Sequence, residues 1–268
     1  MGSDSSGSVG QMLGSIKRLF GKQGIERDLS AIAEWAQRRG FGFKRVRGED
    51  GFVIDGLLEG KTWRLEWGPP QRAYIFGHEL RLRMELALPS DMQMLLLSRP
   101  LMDALERQTY ELYTDNVQTQ MGSSTPEEMR WLVMFPKLNL NNLKSLRGRF
   151  GGVASLPASG LEWIEGPLAN QLEANLDGLL NGDPAFVLMT LRSRAYLRLQ
   201  LVSPTPDAVA ASIGLFETAV AQALRIGHRH ADAASSGWNH SSDSTTAWQS
   251  IHGDVPAPTP APSKAKRR

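Results

Sequence analysis

The groups in this chain with chemistry to offer are five histidines and a few paired acids. His228-x-His230, followed by Asp232, has the spacing of a divalent-metal pair. Imidazoles two residues apart chelate one ion only on extended backbone and with a third ligand. These two fall where a final helix is expected to end, and a histidine there gains from the helix dipole with no metal at all. Glu49-Asp50 and Glu127-Glu128 are acid pairs of the kind that general acid–base chemistry uses. They lie in a predicted turn and in the first turn of a predicted helix, where carboxylates are expected for structural reasons. Gly148-x-x-Gly151-Gly152 is a loose glycine cluster, read as a helix end. The chain holds no phosphate loop, no dinucleotide-type Gly-x-Gly-x-x-Gly, no Gly-x-Ser-x-Gly elbow and no His-Glu-x-x-His. Having no cysteine, it also lacks disulfides, thiolate catalysis, Cys-ligated zinc and iron–sulfur clusters. No catalytic, cofactor-binding or metal-binding residue is therefore assigned, and the reading leans away from an enzyme.

Two segments point instead to contacts with other molecules. Over residues 8–22 the apolar side chains Val9, Met12, Leu13, Ile16, Leu19 and Phe20 recur at helical spacing, with Lys17, Arg18 and Lys22 off that stripe. A basic amphipathic helix of this kind docks on a membrane surface, on a partner or back on its own domain. Gly10, Gly14 and Gly21 each cost about 1 kcal/mol relative to alanine, so the helix needs a receiving surface to form. Near the other end, Trp238 and Trp248 stand in an otherwise polar stretch and read as a short linear binding segment.

The elements between these segments follow from periodicity. A helix is expected from Glu26 to Arg39, stopped by Gly40. The period then changes to two. Phe41 to Val46, Phe52–Leu58, Thr62–Trp67 and Tyr74–Leu88 read as strands separated by Gly-containing turns. In Glu79-Leu-Arg-Leu-Arg-Met-Glu85-Leu86 one face is wholly apolar and the other is Glu79, Arg81, Arg83 and Glu85. That pattern describes an antiparallel sheet with one buried and one wet face. A long helix is expected from Met92 to Tyr113, with Pro100 causing a kink or a break near Arg99. Thr125-Pro-Glu-Glu128 starts another, while Arg130 to Phe135 fits helix and buried strand equally. Asn141–Phe150 and Pro167–Leu180 read as helical, Ala185–Leu191 and Ala195–Val202 as a hairpin, and Asp207 to Ile226 as a final helix.

The wet face is the remaining candidate surface. Arg64, Glu66, Arg81, Arg83, Glu85, Arg198 and Gln200 form mixed-charge rows. A nucleic-acid platform needs excess positive charge and exposed aromatics. Here glutamates alternate with arginines, which argues for cross-strand ion pairs instead. Trp63 and Trp67 share the Leu65 face and belong to the core.

The 268 residues are 41% hydrophobic, enough to bury a real core, and the net charge is only +2. No apolar run approaches the roughly 20 residues of a membrane span, and no signal peptide is read at the N-terminus. The runs Gly48-Glu-Asp-Gly-Phe-Val-Ile-Asp-Gly56, Gly60-Lys-x-Trp-Arg-Leu-Glu-Trp-Gly-Pro69 and Thr125-Pro-Glu-Glu-Met-Arg-Trp-Leu-Val-Met-Phe-Pro136 resemble uncharacterised conserved bacterial proteins. The resemblance spans about Asp28 to Arg225, implies a bacterial cytoplasmic domain and assigns no activity.

The expected organisation is α+β: an antiparallel sheet with helices packed on one face, in two halves whose shared strand, Pro-and-Asp turn and helix order is read either as an old duplication or as the common occurrence of Pro and Asp between strand and helix. Residues 1–24 are a flexible N-terminus carrying the 8–22 helix, and 25–124 are a first half of helix, four strands and helix. Residues 125–230 are a second half of helices, hairpin and final helix. Residues 231–268 are a disordered Pro/Ala/Ser-rich basic tail. The expected function is a non-enzymatic protein-interaction or chaperone/adaptor-like role, and the element order is loosely similar to secretion-chaperone folds. The expected location is cytoplasmic, with peripheral contact at the inner membrane face. An enzyme site assembled from distant segments and an RNA-binding protein using the Arg-rich strands and basic tail are the alternatives.

Overall fold

The structure, a computed structural model, describes residues 28–115 and 125–240. The stripe from Val9 to Phe20, with Lys17 and Arg18, and Trp248 lie outside the described residues. Two units divide the chain, the first ending at Gly227 and the second beginning at His228. The first contains the whole sheet.

Helix α1 (Ser30–Arg38) buries Ile32 and Ala36 and stops at Gly40, whose φ of +74° suits glycine. Strands β1 (Gly42–Arg45), β2 (Phe52–Leu58), β3 (Lys61–Gly68) and β4 (Glu79–Glu85) form an antiparallel meander. The β2–β3 turn has two residues, Glu59 (φ 50°) and Gly60 (φ 77°), both left-handed as a type I′ hairpin requires. Then follow β5 (Met94–Ser98), α2 (Arg99–Asp115), α3 (Glu127–Met134), β6 (Phe150–Ala154), α4 (Pro157–Ile164), α5 (Pro167–Ala174), β7 (Phe186–Thr190), β8 (Arg194–Gln200) and α6 (Pro206–His240). All eight strands join one antiparallel sheet in the order β1-β2-β3-β4-β8-β7-β5-β6. The α+β class is as expected from the sequence.

The two faces of the sheet differ. Phe52, Ile54, Trp63, Leu65, Leu82, Leu96, Leu188 and Leu197 share one core with Val209, Phe216 and Val220 of α6 and with residues of α1, α4 and α5. On the opposite face Leu95, Leu97, Val153, Val187 and Met189 pack with Leu101, Met102 and Leu105 of α2 and Met129, Trp131 and Leu132 of α3. Helices thus cover one face throughout, as expected, and also the second face over β5, β6 and β7.

That double cover explains the main departures from periodicity. The single helix expected from Met92 to Tyr113 is instead β5 followed by α2, with Pro100 in the first helical turn, where its missing N–H costs nothing. All five β5 residues are buried, so no alternation marks it as a strand. The helix expected over Asn141–Phe150 is turns leading into β6. Gly151 and Gly152 are sites of close approach within β6 rather than a helix end. A Cβ on Gly151 would stand 2.3 Å from Met102 Sδ, and one on Gly152 would stand 2.7 Å from the Leu95 carbonyl oxygen. Arg130 to Met134 resolves as helix, with Pro126 at its N-cap. The fourth strand is shorter than Tyr74–Leu88, because residues 69–78 form a loop.

Helix α6 continues past Ile226 to His240. Ala231, Ala233 and Ala234 extend an existing helix readily, since propagation is far easier than nucleation. Among the described residues, Pro206–Asp232 is long and apolar enough to cross a bilayer, but 56% of its most apolar window is buried. Val209, Phe216, Val220 and Ala223 lie in the core, so its apolarity is that of a core helix.

Candidate functional site

Alternation along β3, β4 and β8 places a row of polar side chains on the face opposite α6. Register then decides which of them meet. Arg64 stands opposite Arg83, and Arg83 opposite Tyr196. One step along, Glu66 stands opposite Arg81, and Arg81 opposite Arg198. Like charges directly opposed across strands repel, so the arrangement requires acids between them.

Those acids come from within the sheet. Arg64 donates to both carboxylate oxygens of Asp55 on β2, at 2.8 and 3.2 Å. Arg194 pairs with Glu85 at 2.7 Å. Arg81 reaches Glu66 at 3.3 Å and Glu79 at 3.4 Å, and donates to the Pro69 carbonyl. Glu79 is fully buried and also accepts from Arg198 at 2.5 Å and from the Gln71 backbone N–H at 2.6 Å. A buried carboxylate is tolerable only when its lone pairs are taken up in this way. Arg83 differs: among the described residues its one partner is Glu66 at 3.7 Å, beyond hydrogen-bond reach.

A second buried carboxylate joins the loop between β3 and β4 to α3. Glu128 accepts from Arg72 Nε at 2.8 Å and from the Tyr74 hydroxyl. Burial alone would push Glu128 up; the Tyr74 hydrogen bond and the Arg72 charge outweigh it and hold the carboxyl below its ordinary value. Burial and the Glu128 charge push the Tyr74 hydroxyl well above the ordinary tyrosine value, while Arg72 and Arg198 pull the other way. Residues 71–74 therefore bind both buried acids, which fasten this loop to β4 through Glu79 and to α3 through Glu128. Beside them Glu127 pairs with Arg130 and, at 3.6 Å, with Arg192 of the β7–β8 turn.

Together these groups shape a trough of about 360 Å³ lined by Thr62, Arg64, Arg83, Glu85, Arg194 and Tyr196. A recess of about 90 Å³ adjoins it, between Gln71, Arg81, Arg83 and Arg198. The half-exposed guanidinium groups in the trough donate hydrogen bonds without transferring protons, because arginine stays charged at any ordinary pH. The chemistry available is recognition of oxyanions and polar chains.

The residues singled out from the sequence distribute as follows. Arg64, Glu66, Arg81, Arg83, Glu85, Arg198 and Gln200 come together on one face. Trp63 and Trp67 are core; Trp63 donates to Glu217 at 3.0 Å and Trp67 to the Leu201 carbonyl at 2.7 Å. His228 and His230 lie on α6, where a separation of two residues sets them roughly 200° apart around the axis, so they cannot chelate one ion together. Among the described residues no group of three or more His, Asp or Glu could hold a metal ion. Trp238 lies on the backbone of α6. Sequence reasoning missed the Arg72–Tyr74–Glu128 cluster and the Tyr196 floor. Tyr196 was readable, being in phase with Arg194 and Arg198, whereas nothing local links residue 74 to residue 128.

No protein-family model and no curated protein matches the chain. Among solved structures, the crystal structure of the mycobacterial trehalose monomycolate transport factor A, TtfA, is similar at 8% identity with a TM-score of 0.42. The match covers 75% of this chain and 97% of that one. A likeness so loose carries no functional argument.

Proposed function

We propose that the chain is a non-enzymatic protein-interaction module, adaptor- or chaperone-like, whose uncovered sheet face receives a protein partner. The observation that supports this is the asymmetry of cover. Helices α2 and α3 pack on the outer face over β5, β6 and β7 and reach β8 at Tyr196, but among the described residues no side chain of β3 or β4 joins that second core. There the side chains of Arg64, Arg83, Arg194 and Glu85 are 44%, 58%, 52% and 78% exposed. Both buried carboxylates are engaged by donors, Glu79 by arginine and a backbone N–H and Glu128 by arginine and tyrosine, which favours a binding role over proton-transfer chemistry. Acids interspersed among the arginines disfavour a nucleic-acid platform. The stripe Val9, Met12, Leu13, Ile16, Leu19 and Phe20 supplies a second contact, in a cytoplasmic protein that touches the inner membrane face or its partner there.

A photo-crosslinking residue at Thr62, in the trough, tests this reading, with the exposed Lys144 as control position. The expected result is a defined protein adduct from Thr62 alone, whose purified partner rebinds the chain in solution. Equal adducts from both positions, or none from Thr62, would overturn it. Deleting residues 1–23 should weaken capture of that partner or its membrane fraction; unchanged capture would remove the N-terminal contact from the proposal.

A further inference from the structure

Resting on that reading, we infer that the trough recognises side-chain carboxylates of an extended acidic segment in the partner, with the Arg83 guanidinium as its centre. Three observations carry this. Arg64 and Arg83 stand directly opposite each other, and the acid between them and their neighbours is already shared. Asp55 is engaged bidentately by Arg64, and Glu66 serves Arg81 first and Arg83 only at 3.7 Å. The Arg83 donors are thus left without a hydrogen-bonded acceptor among the described residues, in a trough of about 360 Å³, on a side chain more than half exposed. A carboxylate placed there accepts from Arg83, relieves the repulsion with Arg64 and lies beside Arg194 and the Tyr196 ring.

The shape of the trough selects an extended chain. It runs across three neighbouring strands, with Arg64 on β3, Arg83 on β4 and Tyr196 on β8 in one register row and Arg194 beside them, and adjacent strands stand about 4.8 Å apart. Glu66 and Glu85 sit within the same face and would repel a continuous polyphosphate backbone, whereas alternating acids in a peptide avoid them. The occupant is not the chain's own remainder. Residues 1–27 carry four cations against two acids, residues 241–268 carry four against two, and residues 116–124 carry no charge. None of these stretches is acidic, and the segment is assigned to the partner.

The test is fluorescence anisotropy with the full chain and three labelled probes: a short peptide alternating Glu and Thr, the same peptide with Gln for Glu, and a short oligouridylate. The Glu peptide should bind, the Gln peptide should bind about tenfold more weakly, and added salt should weaken the Glu peptide. Arg83→Gln should lose about tenfold in affinity for the Glu peptide, and Arg225→Gln, at a helix surface ion pair with Glu162, should lose nothing. Thr62→Glu is the second variant: it places a competing carboxylate in the trough without removing a cation, and it too should weaken binding about tenfold. Equal binding of the Gln peptide, unchanged binding by Arg83→Gln and Thr62→Glu, or tighter binding of the oligouridylate would each overturn the inference. The titration needs no partner, so it fails separately from the Thr62 crosslinking, which tests the module itself.

Discussion

Replacing Glu128 removes the acceptor that holds α3 and the β3–β4 loop together. Its side chain is 1% exposed and takes both the Arg72 guanidinium and the Tyr74 hydroxyl. Cutting one partner from a buried ion pair typically costs about 3–5 kcal/mol, because the other charge is stranded. The Arg72 side chain keeps 30% of its surface in water and can be resolvated, so Glu128→Ala should cost less, about 2–3 kcal/mol. Glu128→Gln preserves shape and one acceptor and should cost about 1–2 kcal/mol. Urea unfolding followed by tryptophan fluorescence measures both, since Trp131 on α3 is buried beside this cluster. The pH dependence follows from the depressed carboxyl. Its contribution is fully present above the ordinary glutamate value of 4.5 and is lost as pH falls through the lower folded value. The gap between wild type and Glu128→Gln should therefore close in acid. Tyr74→Phe combined with Glu128→Gln should show a coupling of about 0.5 kcal/mol or more. Variants within about 0.5 kcal/mol of wild type, with zero coupling and an unchanged acid limb, would refute the staple.

Three further outcomes are expected. Gly56→Ala should destabilise by about 1–3 kcal/mol in the same urea assay, because the new Cβ would lie 2.1 Å from Cζ2 of the fully buried Trp63 ring, which has no room to move. Glu59→Asn should raise stability by about 0.5 kcal/mol, since Asn-Gly suits the left-handed conformations of this turn better than Glu-Gly. Burial raises the Glu217 carboxyl above its ordinary value despite the Trp63 hydrogen bond, so its ionised form opposes folding and stability falls as pH rises through this range. Glu217→Gln keeps an acceptor for Trp63 without the charge and should raise the melting temperature at neutral pH; a lower one would contradict this account.

The alternation of β2, β3, β4 and β8 was legible because each has one apolar and one wet face, which writes a period of two into the residues. The stop of α1 at Gly40 and the tight turn at Glu59-Gly60 were equally local, since each depends on what one or two residues can do with φ. Strands β5 and β6 were not legible. They are buried on both sides, so Leu95-Leu96-Leu97 carries no period that separates strand from helix, and the glycines of β6 look like a stop until Met102 and Leu95 are placed against them. The mixed-charge rows were readable as a surface, but not the separate states of their members. Register alone sets Arg64 opposite Arg83, and only the approach of α3 to a loop more than fifty residues earlier makes Glu128 a buried acceptor. The sequence by itself determined the elements with a wet side, the turns between them and the absence of thiol chemistry. The tertiary structure decided which strands are covered twice, which acids are buried and, among the described residues of the trough, that Arg83 has no hydrogen-bonded acceptor. Those properties depend on what packs against a residue from far along the chain, and no local spacing encodes that.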